Sequence, residues 1–357
     1  MPMFEVYAYT RYQQIEPIGV GEGMNSTVFR AFDPYLQREI AVKEINKSTF
    51  GNDFDSYCNE ARMMAEAAAD ANVVGIEYVC ETADHIALAL PYFPNGSLKK
   101  KIKDSPLGLR EFMRVAQGVL AGAGRIHSKH LLHLDFKPSN ILFDDVGNAL
   151  VTDFGQSRRL SSHGTVTFPA TYKWAMPPEV WETGVATVRS DIYQLGSLFY
   201  RCANGEPIFR LQKSAISTDS ELQRQIARGR FPDPRFFLPH VPKRMRTIIR
   251  KALRIDPIDR YESASEFAAV LGRVPLPLNW ATVPLGDGAY CWRAVRLGSP
   301  DLEVELVQNG PSDWETKVWT SRSGERRKKG VSEYWKAGQT YRSACDHLTE
   351  VFDELGR

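Results

Sequence analysis

The order of segments along the chain reads as an α+β protein: a small strand-rich lobe, a larger helical lobe, and a small C-terminal α+β unit. Three observations carry this reading. Strand-like segments separated by Gly, Asn, Asp and Pro dominate residues 10–45. From residue 109 the chain turns mostly helical, and near residue 272 its character changes again. The 357 residues suit one large domain or two unequal ones.

The elements follow in order. Strands are expected at 11–18, 26–33 and 39–45. A helix follows at 53–70, because Phe54, Tyr57, Ala61, Met64, Ala65 and Ala68 recur at three and four. Two short strands fit 73–79 and 85–92. Helices are expected at 110–130, 190–205, 221–229, 243–255 and 263–272. Residues 273–288 carry Pro275, Pro277 and Pro284 and few periodic apolar positions, so they read as a linker. Strands at 289–297, 302–308 and 314–320 and a helix at 340–355 complete the chain. Five of the seven tryptophans lie beyond residue 279, which suggests a packed mini-core or a docking face. The expected division is a domain at 1–272 (small lobe about 10–93, large lobe about 94–272), a linker at 273–288 and an accessory module at 289–357.

Composition narrows the class. Hydrophobic residues make up 43% and charged residues 25%, which excludes a disordered, collagen-like or disulfide-stapled chain. With 45 Lys and Arg against 43 Asp and Glu, the net charge of +2 gives no global argument for nucleic acid or anionic membrane. The five cysteines are scattered without a CxxC pair and read as reduced thiols of a cytoplasmic protein. The first residues lack the apolar core of a signal peptide, and no apolar run of about 18 residues exists to cross a membrane.

Three motifs carry chemistry. Gly21-Glu22-Gly23-Met24-Asn25-Ser26-Thr27-Val28 lies between two strands; its glycines allow close backbone approach to phosphate oxygens, though a plain hairpin explains it equally well. Lys43 sits in an apolar strand, Ala41-Val42-Lys43, before the helix that carries Glu60 and Met64 on one face. An inward Lys43–Glu60 pair would fix the ammonium against nucleotide phosphates, with Glu66 as the second choice of partner. The third block is His133-Leu134-Asp135-Phe136-Lys137-Pro138-Ser139-Asn140, followed by Asp153-Phe154-Gly155. Phosphoryl transfer needs a carboxylate to orient the acceptor hydroxyl, a cation for the transferring phosphate, and hard oxygen ligands for magnesium. Asp135, Lys137, Asn140 and Asp153 supply these types.

At this point the sequence resembles the eukaryotic-type serine/threonine protein kinase family over about residues 12–272. The resemblance implies a bilobal kinase fold, with ATP and Mg2+ (or Mn2+) as cofactors. It implies that Gly21, Gly23 and the backbone near Ser26 cover the phosphates, that Val28 and Ala41 sandwich adenine, that Val20 and Leu142 also bind ATP, and that Lys43 contacts the α- and β-phosphates and pairs with Glu60. It makes Leu90 the gatekeeper and Pro91-Tyr92-Phe93 the hinge, Asp135 the catalytic base, and Asn140 and Asp153 the metal ligands. Met176-Pro177-Pro178-Glu179 resembles the close of the activation segment, Asp191 the residue holding the catalytic loop, and Arg260 the partner of Glu179. Lys137, two residues after Asp135, is similar to the serine/threonine branch.

Departures from the pattern matter. Leu134 stands where an arginine usually grips a phosphorylated activation loop, so activity is expected not to depend strictly on that phosphorylation. Ser26 replaces the third glycine, Pro-Pro-Glu replaces Ala-Pro-Glu, and Thr171 sits one residue too far upstream for the usual threonine. A nucleotide-binding pseudokinase scaffold and a small-molecule phosphotransferase are the alternatives. Expected partners are protein substrates, including the chain itself. For the C-terminal module the expectation is substrate or partner binding or autoregulation. The basic loop 321–330, beside Trp319 and Trp335, is either a solvated hairpin or a patch for acidic protein or nucleic acid.

Overall fold

The computed structural model describes residues 10–19, 26–49, 54–67, 72–167, 172–286, 288–323, 325–328 and 330–356; the side chains of 49 and 54–60 lie outside that description. The first lobe is an antiparallel sheet of β1 (Gln13–Ile18), β2 (Ser26–Asp33), β3 (Arg38–Asn46), β4 (Tyr78–Glu81) and β5 (His85–Pro91), in the order β1-β2-β3-β5-β4. Helix α1 (Phe54–Ala67) follows β3. Alternation sorts the strand residues onto two faces. Ala31, Ile40, Val42, Ala87 and Ala89 form one apolar cluster, while Ile45, Ile86 and Leu88 pack with Ala61 of α1. The pairing Val28↔Lys43↔Leu88 across β2, β3 and β5 puts these three side chains in one row. The strand expected at 73–79 is shorter and later: Val73 makes only an isolated bridge to Val151.

The second lobe is helical. It runs through α2 (Leu98–Lys101), α3 (Leu109–Ser128), α4 (Pro178–Thr183), α5 (Val188–Asn204), α6 (Glu206–Ser214), α7 (Asp219–Ala227), α8 (Lys243–Ala252) and α9 (Ala264–Leu271). Three short strand pairs are inserted: β6 (Leu131–Leu132) with β9 (Arg158–Arg159), β7 (Ile141–Phe143) with β8 (Ala149–Val151), and β10 (Val166–Thr167) with β11 (Val185–Ala186). The unforeseen helices α2, α4 and α6 are short, and α4 and α6 carry Pro at their first turn, where its missing N–H costs nothing. Helix α5 is the axis of the lobe and is buried from Ser190 to Asn204. Thr187 caps it through a reciprocal box with Ser190. A Cβ on Gly196 would meet the Ala252 Cβ at 2.8 Å, so glycine is what lets α5 and α8 approach so closely.

The C-terminal unit is a six-stranded antiparallel sheet with one helix. Strands β12 (Trp280–Gly286), β13 (Ala289–Ala294), β14 (Asp301–Gly310), β15 (Asp313–Arg322) and β16 (Glu325–Arg327) are neighbours in that order, and β17 (Lys336–Gln339) also pairs with β15. Helix α10 (Tyr341–Leu355) covers one face through Ala344, Leu348, Val351 and Phe352. The expected linker 273–288 is corrected here: Trp280–Gly286 is the edge strand of this sheet. Pro284 disguised it, but an edge strand tolerates proline because one side has no ladder to feed.

The unit does not hang free. Its buried residues belong to the same apolar core as α3, α5, α8 and α9. Trp292 is fully buried and donates its Nε1–H to His240 Nδ1 of the helical lobe at 3.0 Å. Phe352 meets Trp280 and Trp292 edge-on at 4.8 and 5.3 Å. At the margin, Asn279 accepts the Arg110 N–H at 2.9 Å and Lys243 pairs with Asp353 at 2.6 Å. Five tryptophans in the tail therefore divide between this docked core and the outer face.

Candidate active site

A cavity of about 420 Å3 opens between the sheet and the helical lobe, a size suited to a small-molecule ligand. Its roof is the row Val28, Lys43 and Leu88, with Ile18, Ser26 and Ala41; Leu142, Asn140, Thr152 and Asp153 form its floor. Leu90, Tyr92 and Phe93 line its back. Thus Ser26, Val28, Ala41, Lys43, Leu90, Phe93, Leu142, Asn140 and Asp153 come together as the sequence suggested. Pro91 is not among the residues that line the cavity; it ends β5 opposite Ile40, and the contact expected of it is through the hinge backbone. Val20, Gly21, Gly23 and Thr171 lie outside the described residues, as does the side chain of Glu60. Ile18, Met64, Leu88 and Thr152 were not singled out as lining residues. Strand alternation back from Leu90 would have found Leu88.

Lys43 Nζ lies 2.8 Å from Asp153 Oδ1. Burial pushes the Asp153 carboxyl up, yet the ammonium beside it outweighs this and holds it below the usual carboxylate range. Glu66, the second choice of partner for Lys43, instead pairs with Arg159 of the segment after Asp153, at 2.7 Å. It sits on the exposed side of α1, so it points away from the cavity.

The loop 133–140 is held from below. Asp191, with no exposed surface, accepts the backbone N–H groups of His133 and Leu134, each at 2.9 Å, and lies 2.8 Å from His127 Nε2. Gln194, one turn along α5, accepts the Phe136 N–H at 3.0 Å and donates to the Leu134 carbonyl at 2.9 Å. This clamp explains how Leu134 adopts φ 63°, and Asp153 likewise sits at φ 65°. Such left-handed conformations cost on the order of 1–3 kcal/mol each in a non-glycine residue and persist only where surroundings over-determine them. His133 is buried and kept neutral by that burial. It stacks on Phe136 at 4.5 Å, and its Nδ1 accepts the Asp135 N–H at 3.3 Å.

The centre of the loop is Asp135, 4% exposed. Its Oδ2 accepts from Lys137 Nζ at 2.6 Å and from Asn140 Nδ2 at 2.9 Å. Its Oδ1 is buried without a hydrogen-bond partner among the described residues. Burial raises its pKa despite the Lys137 ammonium, which is the direction a proton acceptor needs. Asn140 is fixed too: its Nδ2 also donates to the Asp135 carbonyl at 3.0 Å, and its Oδ1 accepts from Ser139 at 3.2 Å. Glu179 and Arg260 form the expected pair, at 2.7 and 2.8 Å, with Arg260 buried.

Leu134 packs with Leu132, Met176, Val180 and Ala186, and with Leu160 and Val166 of the segment after Asp153. An apolar contact thus stands where an arginine would otherwise meet a phosphate. Tyr172 fills the ground near Lys137, its ring centroid 5.2 Å from Nζ.

The chain matches the protein kinase domain family over residues 12–269. It belongs to the protein kinase domain family. Within that family it is 29% identical to the serine/threonine-protein kinase PrkC of Bacillus subtilis over 334 residues, covering 91% of this chain and 49% of PrkC. It is 30% identical to the DNA damage-responsive serine/threonine-protein kinase RqkA of Deinococcus radiodurans, covering 62% of this chain and 34% of RqkA. It is 28% identical to the probable serine/threonine-protein kinase PknB of Lactococcus lactis, covering 72% of this chain and 40% of PknB. The chain therefore spans half or less of the length of these curated relatives. The kinase family generally uses ATP with Mg2+ or Mn2+. The donor set fits such a metal. Among the described residues no cluster of three His, Cys, Asp or Glu exists, while a carboxylate and an amide oxygen line one cavity, as a magnesium site completed by phosphates and water requires.

Among the described residues no helix is long and apolar enough to cross a membrane. Cys80, Cys202, Cys291 and Cys345 are free thiols. On the outer face of the C-terminal sheet, Arg326 is taken up by Glu303 and Glu305 at 2.6 and 2.8 Å, and Lys328 covers the Trp335 ring at 3.7 Å. Much of the basic loop is thus spent within the chain, which favours the solvated hairpin.

Proposed function

We propose that the protein is a serine/threonine protein kinase that transfers the γ-phosphoryl of ATP to hydroxyls of protein substrates. The observation that carries this is Asp135: a buried carboxylate whose Oδ1 has no partner among the described residues, while its Oδ2 is pinned by Lys137 and Asn140. An acceptor hydroxyl placed against Oδ1 would donate its proton there as its oxygen bonds to the γ-phosphorus and the bond to the β,γ-bridging oxygen breaks. Lys137 serves two anions in turn, the carboxylate at rest and the transferring phosphoryl. Lys43 holds the α- and β-phosphates, and Val28, Ala41, Leu142 and the backbone of 91–93 hold adenine. Asn140 and Asp153 would hold Mg2+ or Mn2+, which supplies charge neutralisation at the phosphates.

A short Ser or Thr acceptor held at Asp135 would place the γ-phosphate within reach of the Lys137 ammonium, which supports Ser and Thr as acceptors. The apolar packing of Leu134 supports activity without activation-loop phosphorylation. The C-terminal unit is proposed to brace the helical lobe, with 1–272 and 280–357 as two units on one core. Its contacts run to His240, Lys243 and Arg110, none of which lines the cavity.

The test is transfer of labelled γ-phosphate from Mg-ATP by the purified chain to itself and to a generic protein acceptor, beside Asp135→Asn. Label on Ser or Thr in the wild type alone is the expected result. Nucleotide binding without transfer would replace this reading with the pseudokinase scaffold. Transfer to small acceptors only would replace it with the small-molecule enzyme.

A further inference from the structure

Beside the catalytic loop a line of side chains leads out to the surface. From Lys137 it passes to the ring of Tyr172, whose hydroxyl lies 3.2 Å from Arg201 Nη1. Arg201 is buried and its charge is cancelled by Glu206, which accepts from it at 2.8–3.0 Å. Two residues beyond Tyr172, Trp174 carries Lys213 of α6 over its ring at 4.4 Å. The N-terminus of α6 is sewn to the end of α2: the Glu206 N–H donates to the Ile102 carbonyl at 2.9 Å, and Arg210 Nη2 to the Lys103 carbonyl at 3.1 Å.

This α2–α6 seam is rich in cations. Lys103, Arg210 and Lys213 are exposed along it. Lys103, Arg210 and Lys213 make no ion pair among the described residues. The nearby carboxylates are mostly engaged elsewhere: Glu206 with Arg201, Glu111 with Lys101, and Asp219 with Lys173. Asp104 is exposed and makes no ion pair among the described residues, leaving a net positive seam. Lys213 feels that excess: partial burial and then the charge of Arg201 lower its pKa, and Lys99 adds to them against Glu206. Tyr172 and Trp174 lie on one segment, so the cationic seam begins two residues along the chain from the ring that covers Lys137.

We propose that the α2–α6 seam selects protein substrates whose acceptor Ser or Thr is flanked by anionic residues. This rests on the kinase function above. Carboxylates of Asp and Glu and the phosphate of an already phosphorylated neighbour share the required chemistry. An uncancelled cluster of exposed cations raises the local concentration of such segments and rejects basic ones.

The experiment uses the full chain and three peptides that share one acceptor serine, flanked by Asp and Glu, by phosphoserine, or by Lys and Arg. Transfer from Mg-ATP is measured for wild type and for Arg210→Glu/Lys213→Glu. Wild type is expected to favour one or both anionic peptides over the basic one by about tenfold or more in kcat/KM. The preference should shrink as salt rises toward the screening range, about 8 Å at physiological ionic strength. The double variant should lose that preference mainly through KM, with basal ATP hydrolysis unchanged. The better of the two anionic peptides identifies the source of the anion. Equal use of all peptides, a preference for the basic one, or an unaltered preference in the variant overturns the proposal alone. Absence of transfer to every acceptor, the chain itself included, overturns the kinase function and this proposal with it.

Discussion

The catalytic loop and the docked C-terminal sheet are both buried, but they are held by opposite means. Around Asp135 the contacts are polar and counted: Asp191, Gln194, Lys137 and Asn140 each satisfy named atoms, and two residues are kept in left-handed backbone. Around Trp292 the contacts are apolar and extended, with hydrogen bonds at His240 from Trp292 to Nδ1 and between Nε2 and Thr282 Oγ1 at 3.4 Å. The first region stores strain in left-handed backbone and leaves Asp135 Oδ1 unpartnered among the described residues; in the C-terminal unit the buried Gln339 Oε1 is left so too. What separates the two regions is backbone strain, concentrated where the chemistry is proposed, against ring packing where the two units join.

The largest expected effect sharpens the contrast. Asp135→Asn should lower phosphate transfer by about 10^3-fold, within the range for losing a positioned base. Its melting temperature at pH 7 should hold or rise. The raised pKa means that ionising this buried carboxyl opposes folding, a cost absent below the unfolded value of about 3.9 and complete above the folded value. A fall in melting temperature at pH 7 would show that Asp135 also braces the loop.

Two core changes come next. Trp292→Ala should destabilise the whole chain by about 3–5 kcal/mol, read from denaturant midpoints, in one transition. Two separate transitions would break the idea of a shared core. Leu134→Arg should cost a similar amount, about 3–5 kcal/mol, by placing an unpaired guanidinium among Leu132, Met176 and Val180. Phosphatase treatment of the wild type should leave its rate unchanged; parallel loss on treatment and in a Ser/Thr-to-Ala scan of residues 157–171 would refute that.

A smaller effect separates the regions by pH. Burial, with help from Arg246, lowers the His240 pKa to about 3. The folded chain therefore refuses a proton that the unfolded chain accepts below about 6.5. Stability is full above that pH and should fall by up to about 1.4 kcal/mol per pH unit as acidity moves toward 3. His240→Asn should flatten this slope in urea titrations between pH 7 and 4. The least effect is expected from Glu66→Ala: the exposed pair with Arg159 should change stability by less than about 1 kcal/mol.

The catalytic region was legible in the sequence because each atom-specific task demands a residue type at a fixed spacing. Lys43, Asp135, Asn140 and Asp153 converge although 110 positions separate the Lys43–Asp153 pair. The edge strand Trp280–Gly286 was hidden by Pro284, and α6 by Pro207 at its start, where proline marks a boundary instead of a break. The attachment of the C-terminal unit left no motif, because apolar area carries no fixed spacing. His240 gave no signal either, since a buried neutral histidine is defined by its surroundings.

The single core spanning the helical lobe and the C-terminal sheet bears on how such a protein can be rebuilt. A crossover between homologous genes placed at residue 279 would look harmless in a linear map, since it falls between two recognisable units. It would separate Trp280, Trp292 and Phe352 from the His240 side of their shared packing. Any chimera carrying a foreign tail must bring along the matching surface around residues 239–243 and Leu109, so the two halves constrain one another's exchange. Inheritance here acts on the pair.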